Sequence, residues 1–143
     1  MKVFPRCGGW GPLMGATVVL LASCAKSNHK PVYPVHGQVF YNGKPATGAL
    51  VLFHEVNAAA SQEMRPHGQV DQNGDFVLST YAAVDGAPAG DYVVTVDWRQ
   101  AMPGRGGRGP SILPPEYGMS QRSPLRATIR AENNSLPPFR IDR

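Results

Sequence analysis

Asp91-Tyr92-Val93-Val94-Thr95-Val96-Asp97-Trp98 decides how the rest of this chain is read. Successive side chains of a strand point to opposite sides, so Tyr92, Val94, Val96 and Trp98 share one face and Asp91, Val93, Thr95 and Asp97 the other. The same alternation recurs toward the C-terminus. Leu125, Ala127, Ile129 and Ala131 alternate with Arg126, Thr128, Arg130 and Glu132, and Phe139 and Ile141 alternate with Arg140 and Asp142. Each of these runs has one dry and one wet face, the habit of antiparallel sheets. Toward the N-terminus the strands are more apolar on both sides. Val35 to Tyr41 places Val39 and Tyr41 opposite Phe40, and Leu50 to Glu55 places Val51 and Phe53 opposite Leu50 and Leu52, which predicts a central position for the second.

Between these runs stand turn residues. Asn42-Gly43-Lys44-Pro45 combines a glycine that tolerates positive φ with a proline that fixes its own. His67 to Val70 and Asp75 to Ser79 flank Asp71-Gln72-Asn73-Gly74, and Asn-Gly is a strong hairpin signal. From Val35 onward no segment shows helical periodicity. Seven strands in roughly 110 residues predict an all-β domain, an antiparallel seven-stranded β-sandwich, over residues 35 to 143.

The residues before it have a different plan. Lys2 and Arg6 precede an apolar run from Leu13 to Ala22, the charge-then-apolar order of a secretory leader. Pro12 and Gly15 interrupt the run and Lys26 and Lys30 close it, so it falls short of the ~20 apolar residues of a spanning helix. It ends in Leu21-Ala22-Ser23-Cys24, which resembles the lipobox of bacterial lipoprotein signal peptides: a large apolar residue, two small ones and a cysteine. The resemblance implies cleavage before Cys24 and a diacylglyceryl (and palmitate) anchor on its thiol. Residues 1–23 are then a lipoprotein signal peptide and 24–34 a lipidated, proline-containing tether that holds the domain to a bacterial membrane. Ala25, rather than an acidic residue, follows the cysteine, which by the same resemblance permits transfer to the outer membrane. Loss of the leader removes Cys7, so no disulfide can form. It also removes Lys2 and Arg6, taking the formal charge from +4 to +2, too little to argue for nucleic acid.

Gly37-Gln38-Val39, Asn42-Gly43-Lys44-Pro45, Gly48 to Phe53, Asp71 to Phe76 and Ala89 to Val96, in that order, resemble the carboxypeptidase regulatory-like domains, small sandwiches of the transthyretin (prealbumin-like) type found in short bacterial lipoproteins. Leu113-Pro114-Pro115-Glu116-Tyr117 and Ser123-Pro124-Leu125 are similar to the closing half of such lipoproteins. The resemblance covers residues 35 to 142 and implies a fold more than a task, because sandwiches host many unrelated functions.

The chemistry-bearing residues do not assemble into an active site. A zinc carboxypeptidase needs a His and a Glu on one short motif plus a distant His, whereas His54 and Glu55 are adjacent on a strand and point apart. Hydroxyisourate hydrolases end in Tyr-Arg-Gly-Ser; here Phe139-Arg140-Ile141-Asp142 stands instead. Asp71, Asn73 and Asp75 have the every-second-residue spacing of a calcium loop but lack its glycine and bidentate glutamate, since Phe76 and Ala82 stand there, and a hairpin turn accounts for them. His36, His54 and His67 fall on three strands without carboxylate or thiol partners at ligand spacing. No Gly-x-Ser-x-Gly elbow occurs. The reading is therefore non-enzymatic, with no cofactor and no metal.

The remaining candidate is the stretch from Arg99 to Pro115, where Arg99, Arg105 and Arg108 lie among Gly and Pro, expected as an irregular loop contacting anionic lipid headgroups, lipopolysaccharide or acidic glycans. Arg105-Gly106-Gly107-Arg108-Gly109 looks like an RNA-binding RGG element, which export argues against. A Lys-Asn isopeptide staple, known in some related sandwiches, would use Lys44 with Asn133 or Asn134. The expected role is a membrane-anchored structural or binding module of the cell envelope, with a glycan or protein partner. An accessory carbohydrate-binding domain is the alternative; it requires an aromatic platform drawn from Tyr33, Phe40, Tyr81, Trp98 and Tyr117. A hydrolase is the third.

Overall fold

A computed structural model describes residues 29–58, 65–104 and 106–143, so the expected signal peptide (residues 1–23), Cys24 and Arg105 lie outside the described residues. The described chain is all-β. Its strands are β1 (Val32–Tyr33), β2 (Val35–Tyr41), β3 (Lys44–Pro45), β4 (Leu50–Glu55), β5 (His67–Gln69), β6 (Asp75–Val77), β7 (Ala87–Pro88), β8 (Gly90–Asp97), β9 (Arg99–Ala101), β10 (Arg108–Ser111), β11 (Arg126–Ile129), β12 (Asn134–Ser135) and β13 (Phe139–Ile141), with one 3-10 turn at Pro115–Gly118. Several of these are two-residue pairings that no periodicity can announce, which is why thirteen segments stand where the alternation predicts seven.

One main sheet is antiparallel in the order β11-β8-β4-β5, with β4 central as its apolar content predicts and the amphipathic β8 central beside it. The other is organised around β2. β3 and β6 pair with it antiparallel on one edge, while β12 and β13 pair with it parallel on the other. The expected all-β sandwich of antiparallel sheets is found, with parallel pairing added at the C-terminus. Pro137 and Pro138 continue the chain in the direction of β12, so β13 extends along β2 rather than folding back in a hairpin. The sheets bury Val35, Val39, Phe76, Phe139 and Ile141 against Val51, Phe53, Tyr92, Val94, Val96 and Ile129. Phe53 of one sheet meets Phe76 of the other with ring centroids 6.3 Å apart.

Asn42 and Gly43, at φ 49° and 78°, form the tight turn between β2 and β3. The second turn behaves differently from the expected hairpin. Asp71 Oδ1 accepts the backbone N–H groups of Asn73 (2.8 Å) and Asp75 (2.9 Å), and the turn carries the chain from β5 in one sheet to β6 in the other. The two arms are joined by an isolated bridge between His67 and Ser79, and at the turn by Asp71 N–H donating to the Asp75 carbonyl (2.8 Å). Local turn chemistry identified the reversal, but the ladders were settled by which strand each segment could reach.

Residues 29–34, expected as part of the tether, lie against the sandwich. β1 pairs with β7, the Lys30 ammonium sits 2.9 Å from Glu55 Oε1, and the His29 ring stacks on Tyr81 at 4.0 Å. Gly86 makes this possible, since at φ 98° a Cβ there would stand 1.9 Å from the Tyr33 carbonyl oxygen. Asp85 fixes the loop before it by accepting N–H bonds from Thr80 (2.6 Å), Tyr81 (2.9 Å) and Ala82 (2.9 Å). Partial burial alone would raise the Asp85 pKa; the N–H groups of Thr80, Ala82 and Tyr81 outweigh it and hold the carboxyl below its ordinary range.

Asp85→Ala is expected to cost ~1–3 kcal/mol in urea unfolding, by orphaning three donors. Because the folded-state pKa is depressed, this contribution is complete above the unfolded value of ~3.9 and disappears as pH falls through the folded one. The gap between wild type and variant should therefore close in acid. A gap that is constant with pH would show that the carboxylate charge is not what holds the loop.

Candidate functional site

The arginine-rich stretch is a hairpin, not an irregular loop: β9 and β10 pair antiparallel, with Arg108 opposite Ala101 and Ser111 opposite Arg99. The register shifts between Arg108 and Ser111, and Gly109 lies where a Cβ would come within 2.6 Å of the Gln100 carbonyl oxygen. That close approach needs Gly109, one of the glycines from which an irregular loop was expected. The hairpin's base is fixed by Ile112 N–H donating to the Trp98 carbonyl (2.8 Å) and by Trp98 Nε1 donating to the Thr47 carbonyl (2.9 Å). Arg99 is ion-paired with Asp97 at 2.8 Å. Arg108 is exposed and stands diagonally across the ladder from Arg99, a separation of roughly 7 Å between Cα atoms. The Arg99 guanidinium is already engaged by Asp97, and Arg105 lies outside the described residues.

Other candidate groups are occupied structurally. Asp71 holds its own turn, and Asp75 Oδ1 accepts Gln38 Nε2 at 2.7 Å. Asn134 accepts the Arg130 N–H and donates to the Arg130 and Glu132 carbonyls. It pairs with Val35 while Lys44 pairs with Tyr41, at the far end of β2, so roughly 20 Å of strand separates them and excludes a staple. The same register places Asn133 level with Pro34, further still from Lys44. Among the aromatics, Trp98 is half-buried edge-on to Tyr41 (6.1 Å), Tyr117 packs against the core and Tyr81 is covered by His29. They do not line up as a platform.

His36 is exposed on β2, and His67 Nδ1 lies 3.1 Å from the Arg65 carbonyl. His54, on the outer face of the β4–β8 pair, has Nε2 2.9 Å from Thr95 Oγ1, and Thr95 is buried. Burial, and then the charge of Arg65, push the His54 pKa below its ordinary value. No group of three His, Cys, Asp or Glu able to hold a metal ion occurs among the described residues.

What the fold does create is a groove of about 570 Å³ along one side of the sandwich, lined by Pro124, Leu125 and Ala127 from the β11 side and by Leu136, Pro138 and Phe139 from the β13 side. β11 is the terminal strand of its sheet and β13 lies on the outer edge of the β2 sheet. Leu125 O accepts the Val94 N–H (3.0 Å), so Leu125, Ala127 and Ile129 direct their backbone groups at β8 while those of Arg126 and Thr128 face outward, as antiparallel alternation requires. Ile141 O accepts the Asn42 N–H (2.9 Å), which by the same alternation turns the backbone of Arg140 to the outer edge of β13. Arg126 and Arg140 line the groove, and the Arg126 guanidinium is held by the carbonyls of Ser123 (2.6 Å) and Leu125 (3.0 Å). Alternation had marked both as ordinary wet-face residues; their placement beside an apolar groove depends on strand order, and the Pro137-Pro138 pair was the one local signal of a rigid wall. The chain matches no known protein-family model and no curated protein.

His54 supplies the prediction here. Its folded-state pKa is depressed, so the associated stability is complete above the unfolded value of ~6.5 and is lost as pH falls through the folded value. His54→Gln should flatten the pH dependence of urea-unfolding stability below pH ~6.5. An unchanged slope would place the titration elsewhere.

Proposed function

We propose that the protein is a lipid-anchored, non-enzymatic binding module of the bacterial cell envelope. The observation that carries this reading is Leu21-Ala22-Ser23-Cys24 at the end of a short apolar run preceded by Lys2 and Arg6. In this reading Cys24 is acylated, residues after it lead to the sandwich, and attachment rests on the diacylglyceryl chains, two of which suffice for stable anchoring. No helix of the described residues is long and apolar enough to cross a membrane.

Several polar side chains of the described body serve its fold. Asp71, Asp75, Asp85, Ser123, Asn134 and Tyr92 have side-chain oxygens committed to backbone or neighbouring groups. Among the described residues no buried side-chain polar atom lacks a partner. The outward features are cationic: Arg108 on the hairpin and Arg126 and Arg140 at the groove. The resemblance to carboxypeptidase regulatory-like domains accords with the two-sheet architecture and adds no activity of its own.

In cells of a two-membraned bacterium fed an alkyne analogue of palmitate, the wild-type chain should label and fractionate with membranes. Cys24→Ser should remain unlabelled and retain its leader. Label on the Cys24→Ser variant would overturn the reading.

A further inference from the structure

We infer that the groove between β11 and β13 docks an extended acidic peptide, which adds to the outer edge of β11 as an antiparallel strand. The inference rests on the binding-module reading and names the partner chemistry. A strand entering here meets two kinds of surface at once. Its main chain faces the outward backbone groups of Arg126 and Thr128, the arrangement by which peptides extend an existing sheet. Alternate side chains then lie over Leu125, Ala127 and Phe139 on the inner side, and the others emerge beside Arg126 and Arg130 on the outer side. The period of two in the groove therefore asks for apolar and acidic residues in alternation.

The charges decide against the obvious competitor, a second copy of this chain. Two-fold antiparallel pairing of β11 centred on Thr128 sets Arg126 directly against Arg130 of the second copy, twice. Moving the centre to Ala127 leaves Arg126 diagonal to both Arg126 and Arg130 of that copy. Like charges in these positions destabilise a ladder. Cationic residues on an edge are a common guard against self-pairing, but a guard alone does not require an apolar groove walled by prolines. The nearby carboxylates do not cancel the arginines: Asp91 accepts Thr128 Oγ1 at 2.8 Å, and Glu132 stands 4.0 Å from an Arg130 whose side chain is 78% exposed.

The test uses the full chain in mild detergent and a fluorescein-labelled Val-Glu-Val-Glu-Val-Glu-Val peptide, read by fluorescence anisotropy. The expected result is saturable binding at least ~10-fold tighter than that of the Lys-for-Glu peptide, a discrimination that Arg130→Glu reverses. Arg130→Glu leaves the Arg130 backbone bond to Asn134 in place, so its fold can be verified by an unchanged melting curve; Arg126→Glu also removes two carbonyl contacts and serves as the second variant. N-methylation of alternate peptide amides should abolish binding. Equal affinity for the Glu and Lys peptides, or undiminished binding of the methylated one, overturns the inference. A wild-type dimer that dissociates on Thr128→Pro overturns it in favour of self-pairing. A chain that carries lipid on Cys24 but ignores the peptide refutes strand docking and leaves the anchored module standing; peptide binding by an unlipidated chain does the reverse.

Discussion

The ring of Phe76 lies over Gly37, and the sandwich closes around that contact. The two residues are cross-strand partners in the β2–β6 ladder, and a Cβ on Gly37 would come within 2.7 Å of the ring. With no side chain there, the ring lies across β2 and stacks on Phe139 of β13 at 6.3 Å and 12°. Phe53, from the opposite sheet, meets Phe76 as well, and Phe53 in turn meets Tyr92 edge-on at 5.7 Å. One aromatic side chain thus links both flanks of the central strand with the facing sheet. Gly68 plays the corresponding part on the other side, where a Cβ would stand 2.6 Å from the Val77 carbonyl oxygen and 3.3 Å from the Phe76 ring. These glycines are absences that allow close packing, the reverse of the flexibility usually read into the residue.

The ends of the elements are fixed by side chains that act on the backbone. Tyr92 donates its hydroxyl to the Pro88 carbonyl at 2.8 Å, and burial raises its pKa well above the ordinary phenol value, so it remains a donor. Ser123 donates to the Val94 carbonyl from a buried position and receives the Leu125 N–H, which aligns the entry of β11 with β8. Asn134 closes the turn that returns the chain from β11 to β2. Each of these groups sits where a strand must begin, and each would leave a buried carbonyl or N–H unsatisfied if removed.

The alternation in β8, β11 and β13 was legible because a half-buried strand must separate its apolar residues onto one face, and Tyr92, Val94, Val96, Ile129, Phe139 and Ile141 are indeed buried. The central placement of β4 followed from its apolar content on both faces. What could not be read was partnership. Asn73-Gly74 marks a reversal, yet only the three-dimensional arrangement determines that β5 joins β4 while β6 joins β2. The parallel pairing of β13 depends on contacts one hundred residues away in sequence, such as Phe139 with Val39. Gly104, Gly106, Gly107 and Gly109 suggested an irregular loop, although one of them is the close-approach glycine of a bulged hairpin. The same limit hid Arg126 and Arg140. Their wet-face character was correct, but the edge position that gives them a neighbouring groove is a property of strand order.

Magnitudes show why an edge of this length would work best on a membrane-held protein. Arg126 and Thr128 offer two N–H and two C=O groups, each worth a net ~0.5–1.5 kcal/mol when paired, against an association cost of at least ~4 kcal/mol. Main-chain pairing alone therefore gives little or no affinity, and the apolar floor and the arginines must supply the surplus. The floor sets which alternate residues fit, and the arginines set the sign of the rest. Such a site is weak for a partner diffusing in bulk. If it is held by a lipid at Cys24, as proposed, near partners confined to the same surface, it would act at the higher local concentration that tethering creates, which would convert a shallow edge into an effective contact without any new interaction.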